Sequence, residues 1–226
     1  MLSYASDKEL FAIMKKELYT AVVGDIMDKM GLQHQFLPPQ IRPLKDDMIL
    51  VGRAMTVQEA DLDQIASGSE PGGDFGKMFE ALDSLTEDEI YVCSGCSPYY
   101  AVFGELMTLR AVYLGAGGAV LNSYLRDTKG ILATGIPVFS MGSYAQDQAP
   151  RGKVIDYRVP IQFGAVVINP GDILFGDIDG VLVIPQEHER EILEKAYEKA
   201  TAEKTVAQAL MRGVSTQEVF ASYGIM

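Results

Sequence analysis

Apolar residues recur at helical spacing through the first thirty residues: Leu10, Phe11, Met14 and Leu18, then Val23, Ile26, Met27 and Met30. Each set would line one face of a helix, so the pattern predicts helices over 7–17 and 20–30. Ser6 stands where an N-cap belongs, and Gly31 where a helix stops. A proline-rich joint, FLPPQIRPL, then leads into MILVGRAMTV, a β-like run. Beyond it the pattern alternates, predicting helix 77–85, strand 90–93, helix 105–114, strand 118–122, helix 128–134 and strand 137–141. Strand signals follow around 153–159, 165–168, 172–176 and 180–184. A long charged helix is expected from Gln186 to about Arg212, and TQEVFASYGIM adds a last amphipathic turn or two.

Alternating strands and helices followed by a β-rich segment predict an α/β fold with a mixed sheet and helices packed on it. Neither a repeat nor a linker interrupts the pattern, so 1–226 is expected to form one domain. It would carry N-terminal helices 7–31 and, looking like an appendage, a C-terminal helical extension 186–226, whose mixed EREILEKAYEKATAEK pattern could pack on this subunit or another. SGSEPGGDFG (67–76) holds four glycines and a proline in ten residues and is expected to be a loop, an insertion rather than a lid.

Composition narrows the class. The chain has 226 residues, 48% hydrophobic and 22% charged, the balance of a soluble globular protein. No apolar run approaches the roughly 18 to 20 residues that span a bilayer, and acids and bases alternate through MLSYASDKELFAIMKKEL, unlike a signal peptide. A cytoplasmic location is expected. With 31 acidic against 19 basic residues and a net charge of −12, no basic face is available for nucleic acid.

Several motifs invite chemistry that their context does not support. Cys93 and Cys96, in C-S-G-C, leave a β-like stretch for Ser, Gly and Pro rather than opening a helix, and His34 and His188 lie far off in sequence. They read as two small reduced residues at a strand end, not a redox or zinc motif. LGAGGAV runs from helix to strand, the reverse of a dinucleotide-binding turn, and reads as a helix cap and tight turn. In NPGDILFGDIDGVLVIP, Asp177 and Asp179 belong to the turn of a hairpin.

The remaining stretch is NSYLRDTKGI. Before it, FGELM opens a helix directly after a loop, leaving the amides of Leu106 and Met107 free to bind a carboxylate or enolate oxygen. Arg126 and Asp127 are expected at the carboxyl end of strand 118–122, where ligands collect in α/β sheets. Together with Glu105, these groups suit an α-keto acid and a hard divalent ion. A solvated ion pair at a strand end accounts for the same dipeptide equally well.

The motifs GELM, GAGGAVLNSYLRDTKGI, GIPVFSMG and GDILFGDIDGVLVIP resemble those of the RraA-like family, and the similarity reaches from about residue 20 to the C-terminus. That family includes regulators of ribonuclease E activity and class II 4-hydroxy-4-methyl-2-oxoglutarate aldolases. The resemblance implies a swivelling β/β/α-type sandwich, assembled as a homotrimer or homohexamer. It implies a lyase, an aldolase or oxaloacetate decarboxylase, that releases pyruvate from a 2-oxo acid with magnesium or manganese. Asp127 would ligate the metal directly and Glu105 through water; Arg126 would contact the substrate and stabilise the enolate. Gly104, Leu106 and Met107 would cradle the substrate carboxylate. Glu203, on the same helix as Glu194 and Glu198, would reach a neighbouring subunit's metal through water. Asn122–Ser123 departs from the Asp-Gly pair usual in the family. Two other readings follow from the resemblance: a non-catalytic regulator of a ribonuclease or another protein, and a metal-dependent dehydratase acting on a sugar acid.

Overall fold

The computed structural model describes residues 2–65 and 72–225. Helices α1 (Asp7–Glu17) and α2 (Thr20–Lys29) lead to strands β1 (Arg42–Pro43) and β2 (Leu50–Asp61). Then come α3 (Met78–Asp83), β3 (Glu89–Ser94), β4 (Ala101–Phe103), α4 (Glu105–Tyr113), β5 (Gly118–Leu121), β6 (Tyr124–Leu125), α5 (Thr128–Thr134) and β7 (Val138–Ser140). Strands β8 (Gly152–Tyr157), β9 (Ile161–Phe163), β10 (Val166–Ile168), β11 (Ile173–Asp177) and β12 (Gly180–Ile184) precede α6 (Glu189–Met211) and α7 (Thr216–Tyr223).

The main sheet runs β1-β7-β5-β3-β2-β11-β12, with β8 also paired to β2. Its centre is parallel (β2-β3, β3-β5 and β5-β7) and its flanks are antiparallel. The two ends nearly meet, because the Arg42 guanidinium donates to the carbonyls of Ile178 and Asp179 in the β11–β12 turn, at 3.0 and 2.9 Å. The sheet therefore has an inside as well as an outside. Side-chain alternation fills both: Ile90 and Val92 of β3 join Phe139, Leu174 and Val183 inside, whereas Tyr91 and Cys93 face α3, α4 and α5 outside. Burial on both faces explains why β3 reads as a continuous apolar run.

On the other flank, Ile173, Phe175 and Ile184 pack against Leu10, Phe11, Met14, Val23 and Met27 of α1 and α2. Ser6 caps α1 by accepting from the Glu9 amide, and Gly31 stops α2 at φ +84°. Asp177 caps α2 from outside, accepting from the Thr20 amide at 2.8 Å and its hydroxyl at 2.7 Å. Arg53 of β2 binds Asp7 through two nitrogens, at 2.7 and 2.9 Å, and ties α1 to the sheet.

Two expectations need correcting. The C-terminal helix is not an appendage: Ile192, Leu193, Ala196 and Ala200 are buried against α1, α2 and the sheet, because its apolar stripe has a matching face within the chain. It also begins at Glu189, after a 3-10 turn over Gln186–His188. Residues 67–71 of the glycine-rich loop lie outside the described residues; its end returns to the fold where Gly76 bridges Val154 of β8.

Candidate active site

Arg126 and Asp127 do not leave β5 directly, as expected from the sequence. Residues 122–123 carry the chain from β5 into β6, a two-residue strand that pairs in parallel with β4. This second, small sheet lies off the main one, and both its strands end at the site: β4 runs into the N-terminus of α4, β6 into Arg126 and Asp127. The Arg126 amide donates to the Phe103 carbonyl at 2.9 Å, which fixes one strand end against the other.

Asp127 is held in the left-handed region (φ 60°, ψ 35°), a conformation costing a non-glycine residue on the order of 1 kcal/mol and tolerated best by Asp and Asn. Its carboxylate turns away from its own helix, and Oδ2 accepts from the Glu105 amide at 3.3 Å, at the N-terminus of α4. Residue 104 must be glycine for this approach, since a Cβ there would stand 2.8 Å from Asp127 Oδ2. Gly130 plays the matching part across the site, where a Cβ would stand 2.2 Å from the Glu105 carboxyl carbon. The glycines of FGELM and TKGI thus let two carboxylates cross between adjacent helix starts.

The Arg126 guanidinium lies between two acids, with Nη2 3.4 Å from Asp147 Oδ1 and Nε 3.9 Å from Asp127 Oδ2. Its side chain keeps 39% and that of Asp127 47% of their surface exposed, so both reach solvent and ligand. Beside them a cavity of about 320 Å³ opens. Its lining combines the polar Arg126, Asp127, Asp147 and Gln148 with the apolar Phe75, Met78, Phe79, Leu82, Val102 and Met107. Two shallower hollows, one beside Ser143 and Tyr144 and one beside Glu105 and Lys129, also end on Asp127. Its carboxylate stands where three open spaces meet.

The sequence-predicted residues Gly104, Glu105, Leu106, Met107, Arg126 and Asp127 are thus brought together. Glu203 is not among them within one chain. It lies on α6 against α2, accepting from the Tyr19 hydroxyl and pairing with Lys199 at 3.4 Å, and burial raises its carboxyl pKa. Asn122 and Ser123 also stand apart. Their side chains bind Ser94 Oγ at 3.0 Å and the Tyr100 carbonyl at 2.7 Å, beneath the small sheet, and neither lines the cavity.

Asp147 and Gln148 escaped the sequence reading. They follow Arg126 by about twenty residues in a polar loop with no periodicity, and only the pairing of Ala101 with the 146–147 backbone brings them to the site. A buried carboxylate on β2 was missed as well. Glu59 is fully buried with neither carboxyl oxygen hydrogen-bonded, and burial pushes its pKa up to about 9, with Asp61 nearby adding to the shift. The two thiols share this surrounding. Burial and Glu59 push Cys96 up to about 12 and Cys93 well above the usual range, opposite to what a reactive thiol needs.

Among the described residues, no group of three His, Cys, Asp or Glu side chains comes together as a metal cage. Asp127 and Glu105 do fit a magnesium-type ion, which takes one or two carboxylates and keeps several waters. Both are hard oxygen donors, and the hollows around them leave room for water.

A mixed, nearly closed sheet with an arginine-bearing cavity at its side defines the class of this protein. The sequence description of the RraA-like family, Aldolase/RraA, matches residues 20–183, and the chain belongs to that family. A relative from Halalkalibacterium halodurans, provisionally named 4-hydroxy-4-methyl-2-oxoglutarate aldolase, is 30% identical over 90% of both chains. Protein DlpA of Legionella pneumophila is 27% identical over 90% of this chain, which spans about a third (32%) of that protein's length. Among solved structures, one described as a novel cellulase from gut-associated microbes superimposes with a TM-score of 0.79 at 33% identity, covering 91% of this chain and 90% of its own. RraAS2 of Streptomyces coelicolor, described as an unusual member of the RNase ES inhibitor RraA family, shares the fold with a TM-score of 0.75 at 18% identity, over 91% and 98% of the two chains.

Proposed function

We propose that this protein is a divalent-metal-dependent lyase of the cytoplasm, working as one domain. It would cleave a carbon–carbon bond of a 2-oxo acid, such as 4-hydroxy-4-methyl-2-oxoglutarate or oxaloacetate, and release pyruvate. The observation that carries the reading is the Asp127 carboxylate, held in a left-handed turn beside Arg126 and open to three hollows. The provisional name of the Halalkalibacterium halodurans relative supports the same chemistry.

In this reading Asp127 would bind a magnesium or manganese ion directly and Glu105 through water, and the ion would supply Lewis acidity at the keto group. Arg126 places a permanent positive charge beside the oxygen on which negative charge develops as the bond breaks. The amides of Leu106 and Met107, in the first turn of α4, receive the substrate carboxylate with help from the helix dipole. Asp147 holds the guanidinium in place from the far side.

The active form is a homo-oligomer, a trimer or hexamer. The outer face of α4 presents Leu106 (81% exposed), Leu109, Val112 and Tyr113 (80% exposed) in one stripe, an apolar patch of the kind that marks an interface. Glu203 would complete the site from the neighbouring subunit, through water.

Pyruvate release from both substrates, followed with and without added magnesium, tests the proposal. Release that needs no metal, or that survives Asp127→Ala, would sink it. A regulator of a ribonuclease is the second reading, favoured by the fold shared with RraAS2. A stable nuclease partner in pull-down, with no metal binding by calorimetry, would put that reading first.

A further inference from the structure

The cavity beside Arg126 is lined by two kinds of side chain, a few polar ones and a larger apolar set. Its volume, about 320 Å³, lies at the lower bound of small-molecule pockets and exceeds what a pyruvyl group needs. Arg126 is the only cationic side chain lining it among the described residues, and it already faces Asp127 and Asp147. The rest of its lining is mostly apolar, with Phe75, Met78, Phe79, Leu82 and Val102, and Gln148 adds a neutral amide. A substrate whose first carboxylate takes Arg126 and the α4 amides would have to bury a second carboxylate in a mostly apolar lining with no second cation, which is unfavourable. An apolar group there gains instead, about fourfold in affinity for each buried methylene.

We propose that the substrate is a 2-oxo monocarboxylate whose remote end is apolar, an aliphatic or aromatic 4-hydroxy-2-oxo acid. The inference rests on the lyase reading of the same site and narrows its substrate class. The reaction stays balanced without a co-reactant. The C4 hydroxyl loses its proton and becomes an aldehyde carbonyl, the C3–C4 electron pair passes to C3, and C3 takes up a proton to give pyruvate. The apolar aldehyde is the other product.

The test uses the full chain with magnesium or manganese. Pyruvate release is compared for 4-hydroxy-2-oxo acids bearing an isobutyl or phenyl group and for 4-hydroxy-4-methyl-2-oxoglutarate. At least a tenfold higher kcat/KM for the apolar substrates is expected. A preference for the dicarboxylate overturns the inference and leaves the lyase reading standing. If none of them releases pyruvate, the lyase reading fails, and calorimetry then decides the inference by itself. 4-Methyl-2-oxopentanoate should bind at least tenfold more tightly than 2-oxoglutarate. Equal binding, or none because a second copy of the chain fills the cavity, overturns it. Phe79→Arg, at an exposed rim position that tolerates charge, should shift either ratio at least tenfold toward the dicarboxylate. An unchanged ratio counts against the cavity as the specificity site.

Discussion

The carboxylate of Asp127 serves the helix next to its own: Oδ2 accepts from the Glu105 amide at 3.3 Å, while α5, which Asp127 precedes, has no side-chain cap. A local hydrogen bond within α5 would have pulled the carboxylate toward that helix. The left-handed turn and Gly104 together direct it across to α4, next to Arg126.

Replacing Asp127 with Asn should therefore separate chemistry from folding. Asn tolerates the left-handed conformation and still accepts from Glu105, so stability should change by no more than about 1 kcal/mol. On the proposed mechanism pyruvate release should fall by roughly a hundredfold or more, since the charge proposed to hold the metal is gone. Thermal unfolding and steady-state assays on the same preparation check both halves.

Gly104→Ala probes the same contact from the other side. The added Cβ would meet Asp127 Oδ2 at 2.8 Å and push the carboxylate off the α4 terminus. A tenfold to hundredfold loss of kcat/KM is expected, on the order produced by ångström-scale misplacement, with weaker magnesium binding by calorimetry. Full activity in this variant would show that Asp127 need not stand where it does.

Glu59 makes stability depend on pH. Its pKa in the fold is raised from 4.5 to about 9, so the folded state holds a proton that the unfolded chain releases. Stability from this group is complete below about pH 4.5 and is lost as pH rises toward about 9. By pH 7 the loss amounts to about 3 kcal/mol at most. Glu59→Gln cannot ionise, so its denaturation midpoint should fall less between pH 5 and 8 than that of the parent. Parallel curves for the two proteins would contradict the assignment.

The apolar stripe on α4 gives a fourth prediction. Leu109→Glu should lower the oligomeric state measured by light scattering, because a buried, unpaired carboxylate at an interface is strongly unfavourable. Activity should fall with it if Glu203 acts across subunits, and Glu203→Gln should reproduce that fall without dissociation. A Leu109→Glu protein of unchanged mass would move the interface elsewhere.

Most of the elements were legible in the sequence because local rules govern them. Leu10, Phe11 and Met14 repeat at helical spacing, Ser6 and Gly31 punctuate, and the D-I-D-G turn closes a hairpin in which Asp177 pairs with Gly180. The strands β4 and β6 were not legible. Three and two residues long, they carry no period, and they exist only because Phe103 and Leu125 are buried side by side. Glu59 looked like any polar residue in a long strand; its burial depends on a bulge between Gln58 and Glu59 and on where β8 pairs.

The sequence by itself determined the alternation of strands and helices, the caps and turns, the family, and the adjacency of Arg126 to Asp127. Those are contacts within a few residues, set by spacing, glycine placement and side-chain chemistry. Tertiary structure alone decided that Asp147 would hold Arg126, that Glu105 and Asp127 would cross between two helices, and that α6 would pack into the core. It also decided that Phe75, Phe79 and Leu82 would line the cavity beside Arg126. Each of these joins segments distant in the chain, and such pairings are chosen by the burial of whole faces rather than by any local signal.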